Sequence, residues 1–311
     1  MIRVGLLGTG FGKQHAQLYQ KIDGFEVVSI FGRNKDTLIE IGEEFNIKTT
    51  TDINEIMQEP SIDLIDICLP TEIHRKWAIE GLKNGKHIFC ETPLAYSTFD
   101  ATEIKQVSLE CGKNVYVDMF MKFSAPHVKA ITLAKDSGLG TLSSIRSYNK
   151  TSPRWGDLSL IKNVDTFHIH NIDFVHEIMG MPDSVFASGI DYGEESIVTT
   201  TLGYGNAYAI MESYSNLPEC CPFAIGFELI FTKGIVQYDA VYGEYTKEEF
   251  SVTANNKTRE VITIDGRDEY EEVFRHVLYC LQNNTKSNII DIDSAVNTVK
   301  IKEMIAGQLG K

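Results

Sequence analysis

The stretch Arg3-Val4-Gly5-Leu6-Leu7-Gly8-Thr9-Gly10-Phe11-Gly12 decides how the rest of the chain is read. Its apolar start predicts a strand over 3–7, and the glycines that follow predict a tight turn into a helix over 13–21. Glycines in that position let the backbone turn sharply and approach a pyrophosphate, whose charge meets the amides at the helix N-terminus. The usual G-x-G-x-x-G spacing would put the third glycine at position 13. That residue is Lys13, and the glycine comes one place early, at Gly12. Gly8, Thr9, Gly10, Phe11 and Gly12 are the first candidate dinucleotide contacts.

Outward from this turn, β-branched runs and helical patterns alternate as far as residue 121. Strands are expected at 26–31, 64–69, 86–90 and 114–117, and helices at 36–45, 73–84 and 99–111, with Gly85 stopping the helix over 73–84. That alternation predicts an α/β architecture with a doubly wound parallel sheet. Beyond it the rhythm changes to a helix over 127–135, a strand over 143–148 and a helix over 167–179. Strands then follow at 184–188, 197–202, 207–213, 223–231, 235–238 and 260–264, closed by helices over 270–282 and 294–308. A second, α+β domain on an open, largely antiparallel sheet is expected, dividing the chain into residues 1–121 and 122–311. Cys220-Cys221, Glu194-Glu195 and Glu248-Glu249 read as loop or solvated-face features.

The 311 residues are 43% hydrophobic and 23% charged, with 29 Lys and Arg against 43 Asp and Glu, a net charge of −14. Such hydrophobicity excludes a disordered chain, and the acidic balance opposes nucleic acid and anionic lipid surfaces as partners. No window reaches the roughly 18 apolar residues of a membrane span. The N-terminus lacks the apolar stretch of a signal peptide. Six cysteines without C-x-x-C or zinc-like spacing predict reduced thiols, no metal and a cytoplasmic location.

At the end of the second expected strand, where an NAD site usually places a carboxylate for the ribose hydroxyls, stand Gly32 and Arg33. A guanidinium suits a 2′-phosphate, so NADP(H) is the expected cofactor, with NAD(H) possible. Two further turns fall at the carboxyl ends of expected parallel strands: Cys68-Leu69-Pro70-Thr71-Glu72-Ile73-His74 and Cys90-Glu91-Thr92-Pro93-Leu94-Ala95. They make Leu69, Pro70, His74 and Glu91 candidate cofactor contacts. Together with Gly85-Lys86-His87 between them, and with His168-Ile169-His170-Asn171-Ile172-Asp173 leading into Gly180-Met181-Pro182-Asp183-Ser184-Val185, these stretches resemble the glucose-fructose oxidoreductase, inositol dehydrogenase and rhizopine catabolism protein family (Gfo/Idh/MocA). That resemblance implies an N-terminal Rossmann domain and a C-terminal domain whose open sheet mediates dimer or tetramer formation. It also implies hydride transfer between a nicotinamide and a carbinol carbon of a sugar or polyol.

Such transfer needs a general base beside the reacting hydroxyl. His170 is the candidate, because imidazole titrates nearest neutrality and this residue aligns with the family's catalytic histidine. His168, two residues away on another face of the helix, reads as a packing residue. Asp173, one turn after His170, could orient the imidazole or a substrate hydroxyl, or could be a surface carboxylate. The chain departs from the family pattern at two catalytic positions. The lysine of the family's E-K-P is Thr92, which can hydrogen-bond but brings no charge. The aspartate one turn before the histidine falls on Thr166, with Asp165 adjacent. Lys122 could supply the missing cation or be a surface or interface lysine, and Arg154-Trp155 combines a hydrogen-bonding fork with an aromatic plane suited to a hydroxylated substrate, or belongs to a rim loop at an oligomer contact. A non-catalytic dinucleotide-binding sensor or regulator is the alternative, since it too would keep the glycine turn and lose the lysine. A methyltransferase fits poorly, because Leu7 rather than an acidic residue precedes Gly8, while the family's hydrolases with a transient nicotinamide stay open.

Overall fold

A computed structural model describes residues 1–310 except Tyr245 and Asn256. The chain folds as two compact units, Met1–Phe123 with Arg267–Val299, and Ser124–Gly266 with Lys300–Lys311. In the first, β1 (Ile2–Leu7), α1 (Phe11–Lys21), β2 (Phe25–Phe31), α2 (Lys35–Phe45), β3 (Lys48–Thr50), α3 (Ile53–Met57), β4 (Leu64–Ile67), α4 (His74–Lys83), β5 (His87–Cys90), α5 (Thr98–Cys111) and β6 (Val115–Val117) alternate along the chain. The six strands form one parallel sheet in the order β3-β2-β1-β4-β5-β6. Strand order reverses between β1 and β4, so the glycine turn leaves β1 at the switch point where such sheets bind ligands. Val4, Leu6, Leu7, Leu64, Ile65 and Ile67 are fully buried, the pattern of strands covered on both faces. Asn34 and Ser97 cap α2 and α5 through their side chains, and Gly85 follows α4 with φ of 75°.

The second unit comprises α6 (Ala125–Ala134), β7 (Leu142–Lys150), α7 (Leu160–Asn163), a π-helical turn over Val164–His168, α8 (Ile169–Met179), β8 (Ser184–Asp191), β9 (Ser196–Tyr204), β10 (Ala207–Tyr214), β11 (Phe223–Phe231), β12 (Gly234–Tyr242), β13 (Lys247–Ala254) and β14 (Glu260–Ile262). Its eight strands run in the order β14-β13-β12-β11-β7-β10-β9-β8, antiparallel throughout except between β7 and β10. Inward residues such as Ile145, Val198, Met211 and Leu229 share a core with Val164, Ile172 and Val175. The helices α9 (Glu269–Gln282) and α10 (Ile292–Leu309) complete the chain.

Several details depart from the sequence reading. The chain's division is discontinuous: α9 belongs to the first unit, because Val273, Phe274 and Val277 present one apolar face that is buried in that unit's core. The division then falls inside α10, after Val299. Two strands were not anticipated: β3 has three residues at a sheet edge, and β13 opens with three charged side chains. Glu248 and Glu249 therefore lie in a strand, where Glu248 accepts from Tyr242 (2.8 Å) and Glu249 pairs with Arg259. Among the described residues no helix is long and apolar enough to cross a membrane.

Candidate functional site

Each glycine of the first turn has its own physical reason. Gly8 adopts φ of 113°, and a Cβ there would lie 2.3 Å from the Cys68 carbonyl oxygen, so only glycine fits. A Cβ on Gly12 would strike the Leu6 side chain at 2.5 Å, which ties this glycine to packing of α1 on β1. Gly10 is exposed, and a Cβ would meet nothing within 4 Å. No side chain caps α1 at Gly10, so its first amides and its dipole face outward beside an open glycine cradle. Glycines at the turn and at the packing contact, with open space between, are what a bound pyrophosphate requires. Thr9 is half-buried and Phe11 is 60% exposed beside this cradle.

The end of β2 is equally defined. A Cβ on Gly32, one residue beyond β2, would meet the Thr9 methyl at 2.5 Å and Leu38 Cδ2 at 3.0 Å, so a side chain there would require Thr9 to shift. Arg33 is exposed next to it, and Asn34 is occupied in capping α2 through the amides of Asp36 and Thr37. After β4, Leu69 is half-buried and Pro70 exposed. His74 is buried between two carbonyl oxygens, Leu69 at 2.6 Å and Pro93 at 3.0 Å, and burial lowers its pKa. It clamps the loops after β4 and β5 together rather than projecting from them. Thr92 is half-buried, with its amide donating to Glu91 Oε2 at 3.2 Å. Lys122 is buried and donates to Ser294 Oγ at 2.7 Å.

In the second unit the π turn rearranges what α-helical counting predicts. One extra residue per turn brings positions five apart toward one face, and such turns recur at functional sites. Asp165 is thereby buried and pairs with Lys302 of α10 at 2.7 Å, whereas Thr166 is exposed and returns its hydroxyl to the Lys162 carbonyl at 2.6 Å. The carboxylate that precedes His170 on this helix is Asp165. His170 follows it by five residues and is half-buried, with the buried Asp173 one turn further on. The neighbouring His127 is fully enclosed, and burial together with the proximity of His170 pushes its pKa down to about 3. His168 is buried between Ser213 Oγ (2.7 Å) and Thr200 Oγ1 (3.0 Å), and burial lowers its pKa to about 3, a neutral packing histidine. Arg154 donates to the carbonyls of Glu219 (2.7 Å) and Cys221 (3.4 Å), pinning one loop to another. Trp155 is half exposed, its other edge against Phe167 and Phe223.

A family model described as an oxidoreductase family with an NAD-binding Rossmann fold matches residues 2–119. This segment belongs to the Gfo/Idh/MocA family. A 4-carboxy-2-hydroxymuconate-6-semialdehyde dehydrogenase of Sphingobium sp. is 34% identical over 128 residues, 40% of this chain and 41% of that protein. An inositol 2-dehydrogenase of Rubrobacter xylanophilus is 23% identical over 265 residues, 81% of this chain and 75% of that protein. An oxidoreductase from Agrobacterium radiobacter, solved with NAD+, L-tartaric acid and magnesium, shares the fold at a TM-score of 0.86 and 16% identity, with 100% of this chain and 96% of that one covered. Residues of this chain that sequence reading passed over also stand out. Lys302 lies far along the chain from Asp165, and no local pattern links them. His15 and Asp66 meet in the buried interior of the first unit at 2.9 Å. The carboxylate at 66 was visible in sequence as one charge inside the apolar run Leu64-Ile65-Asp66-Ile67.

Proposed function

We propose that this protein is an NADP(H)-preferring oxidoreductase that moves hydride to or from a carbinol carbon of a sugar-like or polyol substrate. The observation that carries the reading is the glycine turn at the sheet's switch point, with a position that only glycine can occupy at Gly8 and an open cradle at Gly10. Gly8, Thr9, Gly10, Phe11 and Gly12 would hold the pyrophosphate, and Leu69, Pro70 and Glu91 the nicotinamide half, with His74 fixing the two loops. The absence of a carboxylate at the tightly packed Gly32, beside an exposed guanidinium at Arg33, supports NADP(H) over NAD(H). When bound, the nicotinamide supplies a hydride acceptor or donor.

His170 takes the hydroxyl proton as hydride leaves and returns it in the reverse direction. Its half-buried ring suits that role, and the buried His127 beside it stays neutral near pH 7, so it adds no competing charge. Asp173 orients the imidazole, and Thr92 hydrogen-bonds the substrate oxygen. Asp165 with Lys302 takes the place read from sequence for Thr166, and Lys122 remains a second candidate cation. The Trp155 plane offers a face for a sugar ring, with Arg154 stiffening its loop.

A sensor that binds the dinucleotide without turnover is the second reading, favoured by the uncharged Thr92 in place of lysine. Titration with NADPH and NADH by nicotinamide fluorescence, repeated on Arg33→Ala, tests the cofactor half. Tighter NADPH binding that Arg33→Ala weakens by about tenfold supports it. Screening sugars and polyols with the preferred nucleotide tests the rest: turnover lost in His170→Ala rejects the sensor, and binding of both nucleotides absent altogether rejects the oxidoreductase.

A further inference from the structure

Beneath the glycine turn lies a buried polar cluster that the proposed chemistry does not use. His15, in the first turns of α1, is 2% exposed and stacks on Phe89, with the edge of Phe274 from α9 against it. Its Nδ1 is 2.9 Å from Asp66 Oδ2, and its Nε2 is 3.2 Å from Glu91 Oε1. A neutral imidazole has a single N–H and can serve only one of these oxygens as donor. Asp66 is surrounded by donors: the Tyr19 hydroxyl reaches the same oxygen at 2.8 Å, and the Cys68 thiol faces the other at 3.5 Å. An imidazole that faces one carboxylate oxygen from each nitrogen donates to both only when it carries both protons. We propose that His15 is a positioning residue charged at neutral pH, whose imidazolium holds Glu91, and through it the Thr92 amide, in place for the dinucleotide.

The charges that face this ring from every packed element fit that assignment. Burial works against the cation, while the charge and hydrogen bond of Asp66 hold the His15 pKa above its ordinary value. Asp118, just past β6, lies 3.6 Å from Nε2, and its second oxygen has no partner. Burial, reinforced by Glu91, pushes its pKa well up, so it is the neutral acid of the group. Burial keeps Tyr19 of α1 and Tyr270 of α9 protonated, as it does the Cys68 thiol. The imidazole therefore stands between two carboxyl groups. The cluster also reaches the turn itself, since Cys68, whose Sγ is 3.3 Å from His15 Nδ1, is the residue whose carbonyl confines Gly8. The two oxygens of Glu91 divide the work, Oε1 on His15 and Oε2 on the Thr92 amide.

The role in binding rests on reading this turn as the dinucleotide site, and the test separates the two. Ring-labelled histidine NMR on the full chain, assigned with His15→Gln, reads the charge directly. Doubly protonated shifts that persist as pH rises past the ordinary value of about 6.5 are expected, whereas titration near that value overturns the proposal. NADPH affinity is measured in parallel. His15→Gln and Glu91→Gln should each weaken it by about tenfold, and the double variant no further, because both break one bond. Glu91→Gln guards against a His15 variant that does not fold. Wild-type protein that binds NADPH with an affinity both variants retain overturns the positioning role. Failure of the wild type to bind, with His15 still doubly protonated, overturns the dinucleotide reading instead. Stoichiometric zinc in the purified protein would mean a neutral His15 acting as ligand, and would also overturn the proposal.

Discussion

A methyl group added at Gly8 and one added at Gly10 should fail in different ways. Gly8→Ala forces a Cβ to 2.3 Å from a backbone oxygen at φ of 113°, and should cost about 2–4 kcal/mol in urea unfolding. Gly10→Ala meets open space, so it should cost about 1 kcal/mol or less while abolishing NADPH binding, because the methyl occupies the ligand's room. Equal losses of stability in both variants would show that the turn is purely structural. At this scale sequence was most informative where chemistry demands one residue type. The glycines and Gly32 are of that kind, and Gly12 reaches its packing contact although its spacing is irregular. His15 was silent because its significance lies in partners from three other strand ends, brought together only by the sheet.

Among the elements, the π turn carries the largest correction. Counting one α-helical turn back from His170 lands on Thr166, but the added residue turns Thr166 outward and buries Asp165 against Lys302. Lys302→Met leaves a buried carboxylate without its cation, and should destabilise the protein by about 3–5 kcal/mol in urea. Asp165→Leu combined with Lys302→Met should recover most of that loss, since an apolar pair needs no compensation. A double variant as unstable as the single one would show that the site tolerates no apolar pair. Long periodic elements were legible from their patterns: β11 lies where its run predicts, and α4 and α5 begin and end within a residue or two. β3 was too short to show alternation, and β13 hides its buried face behind Glu248 and Glu249.

For the whole molecule, buried histidines make stability depend on pH with a definite sign. His127 and His168 stay neutral in the folded state down to about pH 3, through burial and, for His127, His170 as well. Unfolded, each binds a proton near about 6.5. The unfolded state therefore holds more protons below that value, and stability falls as pH drops from about 6.5 toward 3. Each of the two should cost roughly 2–3 kcal/mol by about pH 4.5, so His168→Gln should flatten the slope by that amount in urea unfolding at several pH values. An unchanged slope would refute the neutral assignment. His15 works in the opposite direction: its raised pKa contributes stability that is complete below about 6.5 and is lost as pH climbs through the raised value. The discontinuous first unit also sets an order of assembly during synthesis. A ribosome delivers the parallel sheet early, but Val273, Phe274 and Val277, which close its core, emerge only after the whole of Ser124–Gly266 has been made. The nascent sheet must wait with an apolar face uncovered, which makes it the stretch of this chain most in need of a chaperone.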